Sequence, residues 1–408
     1  MHVAIVAPFF RPNTLRYLDA LTRLPGVRLS VLSCDSARTL VSQAPRLAQK
    51  IHAIVPVAPS LDGAAIVHAA RQLMAAHGAI DRLLGILEQL QQSLGEARSA
   101  LSIPGMSAEV AFNFRDKARM KDVLRAAGLD VARHCRVTSM EEGRTFAAEV
   151  GFPIVLKPVA GVGAKATIRV SSAHELEEAL QQFRPSEGTP VQAEEFITGV
   201  ERTLEAVLID GQPVWWSGTR YSPSPLQTLE NPWMQYTVTL PVEESTPWTD
   251  FLPTSIQALQ ALGLKTGLSH MEWFETADGR FVIGEVGARP PGVNIMPLMS
   301  HVFGQDMIAA WCRLMVFGTW PKMSRGQAAG SAFFRAQGSG DRIVAVTGLA
   351  KAQAAVGRWV VDRDLPRIGA RPKDGYVGDG WAIVAAPTTA EVHSALGTLV
   401  RTVRVHRG

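Results

Sequence analysis

The chain has little of what would tie it to an oxidising compartment, to nucleic acid or to a membrane. Its 408 residues include three cysteines, Cys34, Cys135 and Cys312, far apart and with no Cys-x-x-Cys pair. That spacing excludes a disulfide framework and a zinc site and suits a reducing compartment. Charged residues make up 19%, the net charge is only +4, and no basic run is interleaved with aromatics. The basic pI near 9.1 therefore gives only weak support for nucleic acid. No run of about 20 apolar residues free of charge and proline occurs, so no membrane span is expected. The opening MHVAIVAPFF is too short for a secretory signal and lacks its basic start. It reads as a first buried strand, and a cytoplasmic location is expected. With 47% hydrophobic residues the chain can bury large cores, and its length suggests roughly two to four domains.

Two nucleotide fingerprints are also missing. The first strand runs into PFFRPN, not into Gly-x-Gly-x-x-Gly, which removes the dinucleotide-binding reading. Later, VAGVGAK is followed by Ala166 and a strand-like run, so there is no P-loop hydroxyl for magnesium and no following helix. What is present over residues 1–110 is an alternation. Strands are expected at Val3–Ala7, Val27–Ser33 and Ile51–Val57, with a helix at Thr14–Leu24 and a helical period over Asp81–Arg98. Such alternation predicts a parallel α/β sheet. Residues 111–136 predict one helix stopping at Gly128, with Lys117 and Lys121 a turn apart on a solvated face.

The next stretch predicts a buried strand, FPIVLKP, carrying Lys157, then a glycine loop with Gly161, Gly163 and Lys165, then a returning strand over Ala166–Val170. Glycines let backbone N–H groups approach a polyphosphate, and a lysine leaving an apolar strand adds fixed positive charge; a plain glycine hairpin explains the loop equally well. Ser172 is placed to cap the helix HELEEALQQF with Glu175 in a capping box. After the strand Val191–Ile197, residues Glu201, Thr203 and Glu205 share one face of another strand, a polar stripe expected to face water. A further strand ends at Arg220. From Tyr221 to Trp248, prolines and tryptophans without a clear period predict a long ordered loop that walls a pocket. Helices are expected at Pro253–Leu262 and Val302–Phe317. A last unit begins near Gly330 and closes with the helix Thr389–Val403.

Ser269–Gly292 carries the most chemistry. Two strand-like runs flank Asp278-Gly279, a strong hairpin signal. With those two residues as the loop, Ala277 pairs with Arg280 and Glu272 falls opposite Glu285. Phe274, Thr276, Ile283 and Phe281 then share the glutamate face, with Met271, Trp273 and Val282 opposite. Directly opposed like charges repel. A divalent cation with oxygen ligands is one reason to keep two carboxylates together in an apolar ribbon; the plainer alternative is an edge hairpin with two solvated glutamates. Arg289 follows one short step after Glu285.

In this order and spacing, RDKARMKDVLRAAGL, PIVLKP with its glycine loop, AEEFITGVE, the paired glutamates and Arg289 resemble the ATP-grasp superfamily across nearly the whole chain. The resemblance implies an α/β and α+β protein: an N-terminal Rossmann-like pre-ATP-grasp domain over 1–110, an ATP-grasp domain over 111–325 with a lid at about 137–197, and a small C-terminal α+β domain over 326–408. It implies ATP contacts at Lys117, Lys157, Gly161, Gly163, Lys165, Glu194, Glu195, Phe196, Ile197 and Glu201. Glu272 and Glu285 match the carboxylates for Mg2+, with Mn2+ as an alternative ion. Arg289, with Lys157, matches the catalytic positions, and Arg220, Glu205 and Asn294 are candidate substrate contacts.

The type it most resembles is the carboxylate–amine ligase, as in L-amino acid (dipeptide) ligases. That implies small carboxylate and amine substrates such as amino acids, neither nucleic acid nor membrane as partner, and an assembly compatible with a homodimer. Many members read Glu-x-Asn-x-Arg, whereas this chain has Gly287 at the asparagine position; Asn294 or water is the expected substitute. Two alternatives stand beside the ligase: a biotin-carboxylase-like or other bicarbonate-using enzyme, and an ATP-binding protein of the same fold without catalysis.

Overall fold

The computed structural model describes residues 1–159, 167–373 and 375–408. Near the N-terminus, β1 (His2–Val6), β2 (Arg28–Ser33), β3 (Ala53–Pro56) and β4 (Arg82–Leu84) form a parallel sheet in the order β3-β2-β1-β4. Parallel strands need crossovers, and helices Pro12–Thr22 and Gly63–His77 supply two of them. The Asp81–Arg98 stretch is not one helix. Leu83 and Leu84 are buried in the edge strand β4, a single turn follows at Glu88–Leu90, and the helix begins only at Gln91. A three-residue strand is too short to show a period of two.

The expected helix through residue 128 is likewise two, Ala108–Arg115 and Lys117–Ala126. Asp116 breaks it: its carboxylate accepts the Arg119 N–H at 2.9 Å and pairs with Arg136 at 3.0 Å. An aspartate satisfying a free helix N–H is a strong start signal.

β5 (His134–Val137), β6 (Ile154–Pro158), β7 (Ile168–Val170) and β8 (Val191–Glu195) form a second, antiparallel sheet, ordered β5-β8-β6-β7. Helices Met140–Val150 and Ala173–Phe183 pack on it through Phe146, Leu176 and Leu180. Ser172 caps the second helix as expected, but the Glu175 carboxylate takes the N–H of Ser171 rather than of Ser172.

The largest sheet begins with β9 (Gly199–Ile209), β10 (Gln212–Ser222), β11 (Tyr236–Leu240), β12 (Gly267–Thr276) and β13 (Phe281–Gly287). The C-terminal segment adds β14 (Ala328–Phe334), β15 (Ala336–Gln337), β16 (Ile343–Thr347), β17 (Val360–Asp364), β18 (Gly380–Ala386) and β19 (Arg404–Arg407). Eight strands run in the order β13-β12-β9-β10-β11-β14-β18-β17, so C-terminal strands extend the central sheet, while β15, β19 and β16 make a small separate one.

Residues 221–248 are more regular than a loop. They hold the helix Pro225–Glu230, capped by Ser224, and β11, whose Tyr236, Val238 and Leu240 alternate into the core. The prolines around these short elements conceal their periods. Val302–Phe317 also divides, into Ile295–Phe303 and Met307–Phe317, at Gly304 in the left-handed region and the cap Asp306. Trp273 stacks on Phe251 at 4.1 Å under the hairpin, which anchors β12 to the helix Trp248–Ala261. Among the described residues no helix is long and apolar enough to cross a membrane.

Candidate active site

Glu272 does sit opposite Glu285, but by a different route from simple counting. The turn is one residue longer than Asp278-Gly279. Thr276 N–H donates to the Arg280 carbonyl at 3.0 Å and Gly279 N–H to the Thr276 carbonyl at 3.0 Å, which leaves Ala277, Asp278 and Gly279 as the loop. Gly279 takes φ +81°, the left-handed conformation that three-residue hairpins place on glycine. The extra residue would slip the glutamates past each other. A bulge at Gly284 restores them: Trp273 pairs with Ile283, while Glu272 pairs with Glu285. Ile283 therefore pairs with Trp273 and joins the buried cluster, and it still lines the cavity that the glutamates share, while Val282 pairs with Phe274. A Cβ on Gly284 would sit 3.1 Å from the Phe274 ring and 3.2 Å from the Glu272 carbonyl, so the bulge is cramped for anything larger.

The glutamates open into a cavity of about 480 Å³. Lys117, Lys157, Glu194, Glu195, Phe196, Ile197, Glu201, Glu272, Glu285 and Arg289 all line it. They come from five segments: the helix Lys117–Ala126, β6, the end of β8, β9 and the hairpin. Gly161, Gly163 and Lys165 lie outside the described residues. Of the candidate substrate contacts, Arg220 is exposed and Glu205 is fully buried, and neither lines the cavity. Asn294 is also absent from its lining and donates to the Ser331 hydroxyl at 3.2 Å.

Opposite charges are interleaved through this cavity. Lys117 Nζ lies 2.6 Å from Glu285, and Lys157 Nζ lies 2.9 Å from Glu194. Lys117 and Lys121 are both buried, against the expectation of a solvated face. The helix carrying them is covered by β5 and the hairpin, which sequence period alone does not show. Lys121 Nζ donates to the Gly284 carbonyl at 3.0 Å, clamping the bulge, and stands 3.5 Å from Glu194. Burial pulls the Lys121 ammonium down to about 8. Burial also opposes ionisation of Glu285, but Lys117, Lys157 and Arg289 outweigh it and hold the carboxyl down at about 2. Glu201 goes the other way: burial, with the charge of Glu272 beside it, outweighs Lys157 and pushes it up to about 8.

The Glu201, Thr203, Glu205 stripe does not face water. β9 runs between β12 and β10, so Thr203 and Glu205 are fully buried. Glu205 accepts from Thr203 Oγ1 at 2.8 Å and Thr219 Oγ1 at 3.1 Å, and pairs with His270 Nδ1 at 2.8 Å. His270 lines the cavity, with Nε2 3.7 Å from Glu272. Burial disfavours its charge, yet the carboxylates of Glu205 and Glu272 raise it to about 9. His270 was in plain view two residues before Glu272, but no role follows from its position in the sequence. Glu88 gave less signal still. It reaches from the turn after β4 to ion-pair with the Arg289 Nε.

Comparison with known proteins fits this arrangement. Residues 116–212 match the family model for the carbamoyl-phosphate synthase L chain, ATP binding domain. The L-amino acid ligase structure from Bacillus licheniformis covers the whole chain and 98% of its own, with a TM-score of 0.78 at 20% identity. The chain has the ATP-grasp fold. N5-carboxyaminoimidazole ribonucleotide synthetase from Thermotoga maritima shares this ATP-grasp architecture, with a TM-score of 0.70 at 16% identity over 100% of this chain and 99% of that one. Among curated sequences, the L-arginine-specific L-amino acid ligase of Bacillus subtilis is 23% identical over 240 residues, 57% of this chain. An alanine–anticapsin ligase of Bacillus subtilis is 25% identical over 278 residues, 61% of this chain. The chain spans 56% of the length of each of these two relatives.

ATP-grasp chemistry implies a divalent cation, and the donor set can be tested against one. Among the described residues no group of three or more His, Cys, Asp or Glu could hold a metal alone. Two carboxylates in register suit Mg2+, which keeps several waters and shares phosphate oxygens with a nucleotide. In the structure Lys117 supplies the positive charge at Glu285. The two carboxylates therefore fit a Mg2+ whose remaining ligands are water or other non-protein oxygens.

Proposed function

We propose that the protein is an ATP-dependent carboxylate–amine ligase acting on amino acids or similar small acids and amines. The observation that carries this reading is the meeting in one cavity of Lys117, Lys157 and Arg289 with Glu272 and Glu285 set in register. The carboxylate oxygen of the acid attacks the γ-phosphorus of ATP, giving an acyl phosphate and ADP. The amine then attacks the acyl carbon, forming the amide as phosphate leaves and the amine loses its proton. Phosphoryl transfer asks the protein mainly for positioning and charge neutralisation.

In this reading Lys117 and Lys157 neutralise phosphate oxygens, and the segment Glu194–Ile197 holds the base. Arg289 binds the carboxylate and the transferring group, where a fixed donor is most effective. Glu272 and Glu285 would hold Mg2+, or Mn2+ in its place, which when bound neutralises the phosphates between them. Tyr221, Leu226 and Gln227 line the same cavity and belong, in our reading, to the wall that selects the acid.

The test is a phosphate-release screen with ATP, Mg2+ and pairs of amino acids. Glu285→Ala and Arg289→Ala are each expected to lose at least about 100-fold in turnover, the scale for removing one transition-state donor, with unchanged far-UV circular dichroism. Near-wild-type turnover in both variants refutes the assignment. Wells with bicarbonate replacing the acid separate the carboxylating alternative, which the neighbouring N5-carboxyaminoimidazole ribonucleotide synthetase fold keeps in view.

A further inference from the structure

Gly287 stands where many ATP-grasp chains carry asparagine, and the structure shows what occupies the freed space. A Cβ built on Gly287 would lie 3.3 Å from Glu88 Oε2 and 3.6 Å from both Cγ and Nε of Arg289. The missing side chain is thus the gap through which the Glu88 carboxylate reaches the guanidinium. Glu88 is buried, on the turn after β4, 201 residues away in sequence from Arg289. The contact joins the N-terminal sheet to the catalytic hairpin.

How it does so matters for the chemistry. A guanidinium is a planar fork of five N–H donors whose direction is fixed once one edge is held. Glu88 takes Nε, and the Pro290 carbonyl takes Nη1 at 3.0 Å. Nη2 has no hydrogen bond among the described residues, on a side chain that lines the cavity and is 20% exposed. One edge is anchored and the other end is presented to the cavity, where an anion would meet it. Glu88 also balances the arginine's charge when no substrate is bound, so the guanidinium need not fold onto Glu285 or Glu272.

We propose that Glu88 is a positioning residue for Arg289, admitted by Gly287, which aims the free end of the guanidinium at the reacting carboxylate and phosphoryl group. The functional part rests on the ligase reading above. On this view the asparagine missing at 287 is not a lost ligand awaiting repair. Restoring it puts a side chain where the Glu88 carboxylate stands.

Four single variants, one double variant and two kinds of readout test this. Phosphate release is followed against the acid concentration at saturating ATP for Glu88→Gln, Glu88→Asp, Gly287→Ala and Gly287→Asn, with ADP affinity measured alongside by calorimetry. Glu88→Gln and Gly287→Asn are each expected to lower kcat by about 10- to 100-fold, as for a misaligned reacting group, while ADP affinity changes less than threefold. Glu88→Asp recovers part of the loss, and Gly287→Ala, whose Cβ presses on the Glu88 carboxylate at 3.3 Å, loses less than Gly287→Asn. The double variant Glu88→Gln/Gly287→Asn is no worse than the poorer single one, since both remove one contact.

The second readout needs no turnover. In arginine-15N-labelled protein, the Nε–H signal of Arg289, assigned by its loss in Arg289→Lys, is expected to be slow to exchange in the wild type and fast in Glu88→Gln and Gly287→Asn. An Nε that exchanges freely in the wild type, or stays protected in both variants, overturns the inference. So do losses in kcat that multiply in the double variant, or that run parallel to ADP affinity. A wild type without acid-dependent phosphate release sinks the ligase reading instead, and the exchange data then decide the Glu88–Arg289 geometry by themselves.

Discussion

Removing the Glu205 carboxylate should unsettle both the sheet and the site, and its size can be worked out. Glu205 is fully buried and accepts from Thr203, Thr219 and His270. Glu205→Ala leaves two hydroxyls and a buried imidazole without their acceptor. Breaking a buried charged pair from one side costs about 3–5 kcal/mol. At roughly 2 cal/mol/K of unfolding entropy per residue over 408 residues, ~4 kcal/mol corresponds to about 5 °C in Tm if the chain melts in one transition. Glu205→Gln keeps one acceptor oxygen and should cost about half as much.

The pH dependence is the sharper part. His270 titrates at about 9 in the folded protein and 6.5 ordinarily, so the folded state binds the extra proton between those values. That contribution is complete below pH 6.5 and lost as pH rises through 9. Differential scanning calorimetry from pH 6 to 9.5 should therefore show the Glu205→Ala deficit shrinking as pH rises. Equal deficits at pH 6 and 9.5, or no deficit at all, would refute the claim that this pair is a buried ionic contact.

Two further perturbations follow from the same cavity. Glu201 is held up at about 8 against 4.5 ordinarily, so its stabilising contribution is present below pH 4.5 and lost as pH rises through 8; Glu201→Gln should flatten that decline in a Tm-versus-pH series, and an unchanged slope would count against it. Gly284→Val places a branched side chain at the bulge, where even a Cβ meets Phe274 and the Glu272 carbonyl. It is expected to lower Tm by several degrees, on the order of 1–3 kcal/mol for overpacking, and to weaken Mg2+–nucleotide binding measured by calorimetry.

The order of elements was legible in the sequence, because strands, caps and turns leave local marks. Ser172 before its helix, Asp278-Gly279 in the hairpin and Lys157 at the end of an apolar strand all behave as local chemistry dictates. The hairpin shows how far such reading goes. Counting pairs Glu272 with Glu285, as the structure does, yet the loop is one residue longer and a bulge at Gly284 cancels the slip. Alternation cannot distinguish those two routes, because a bulge is decided by what packs on the strand, here Trp273 against Phe251 on one side and Lys121 on Gly284 from the other.

By itself, then, the sequence determined the chemistry available: which lysines, glutamates and arginine exist, and the strands and helices that carry them in order. Tertiary structure decided which of them lose water. Lys121 and the stripe through Glu205 carry the same local pattern as solvated faces, and only the elements laid over them make them interior. Partnership across long separations was decided there as well. Nothing near Glu88 marks it as the partner of Arg289, and Gly287 reads as a lost ligand until the chain is folded and the carboxylate is seen in the space it leaves. Burial and long-range contact are properties of the packed molecule, whereas propensity and spacing belong to the chain.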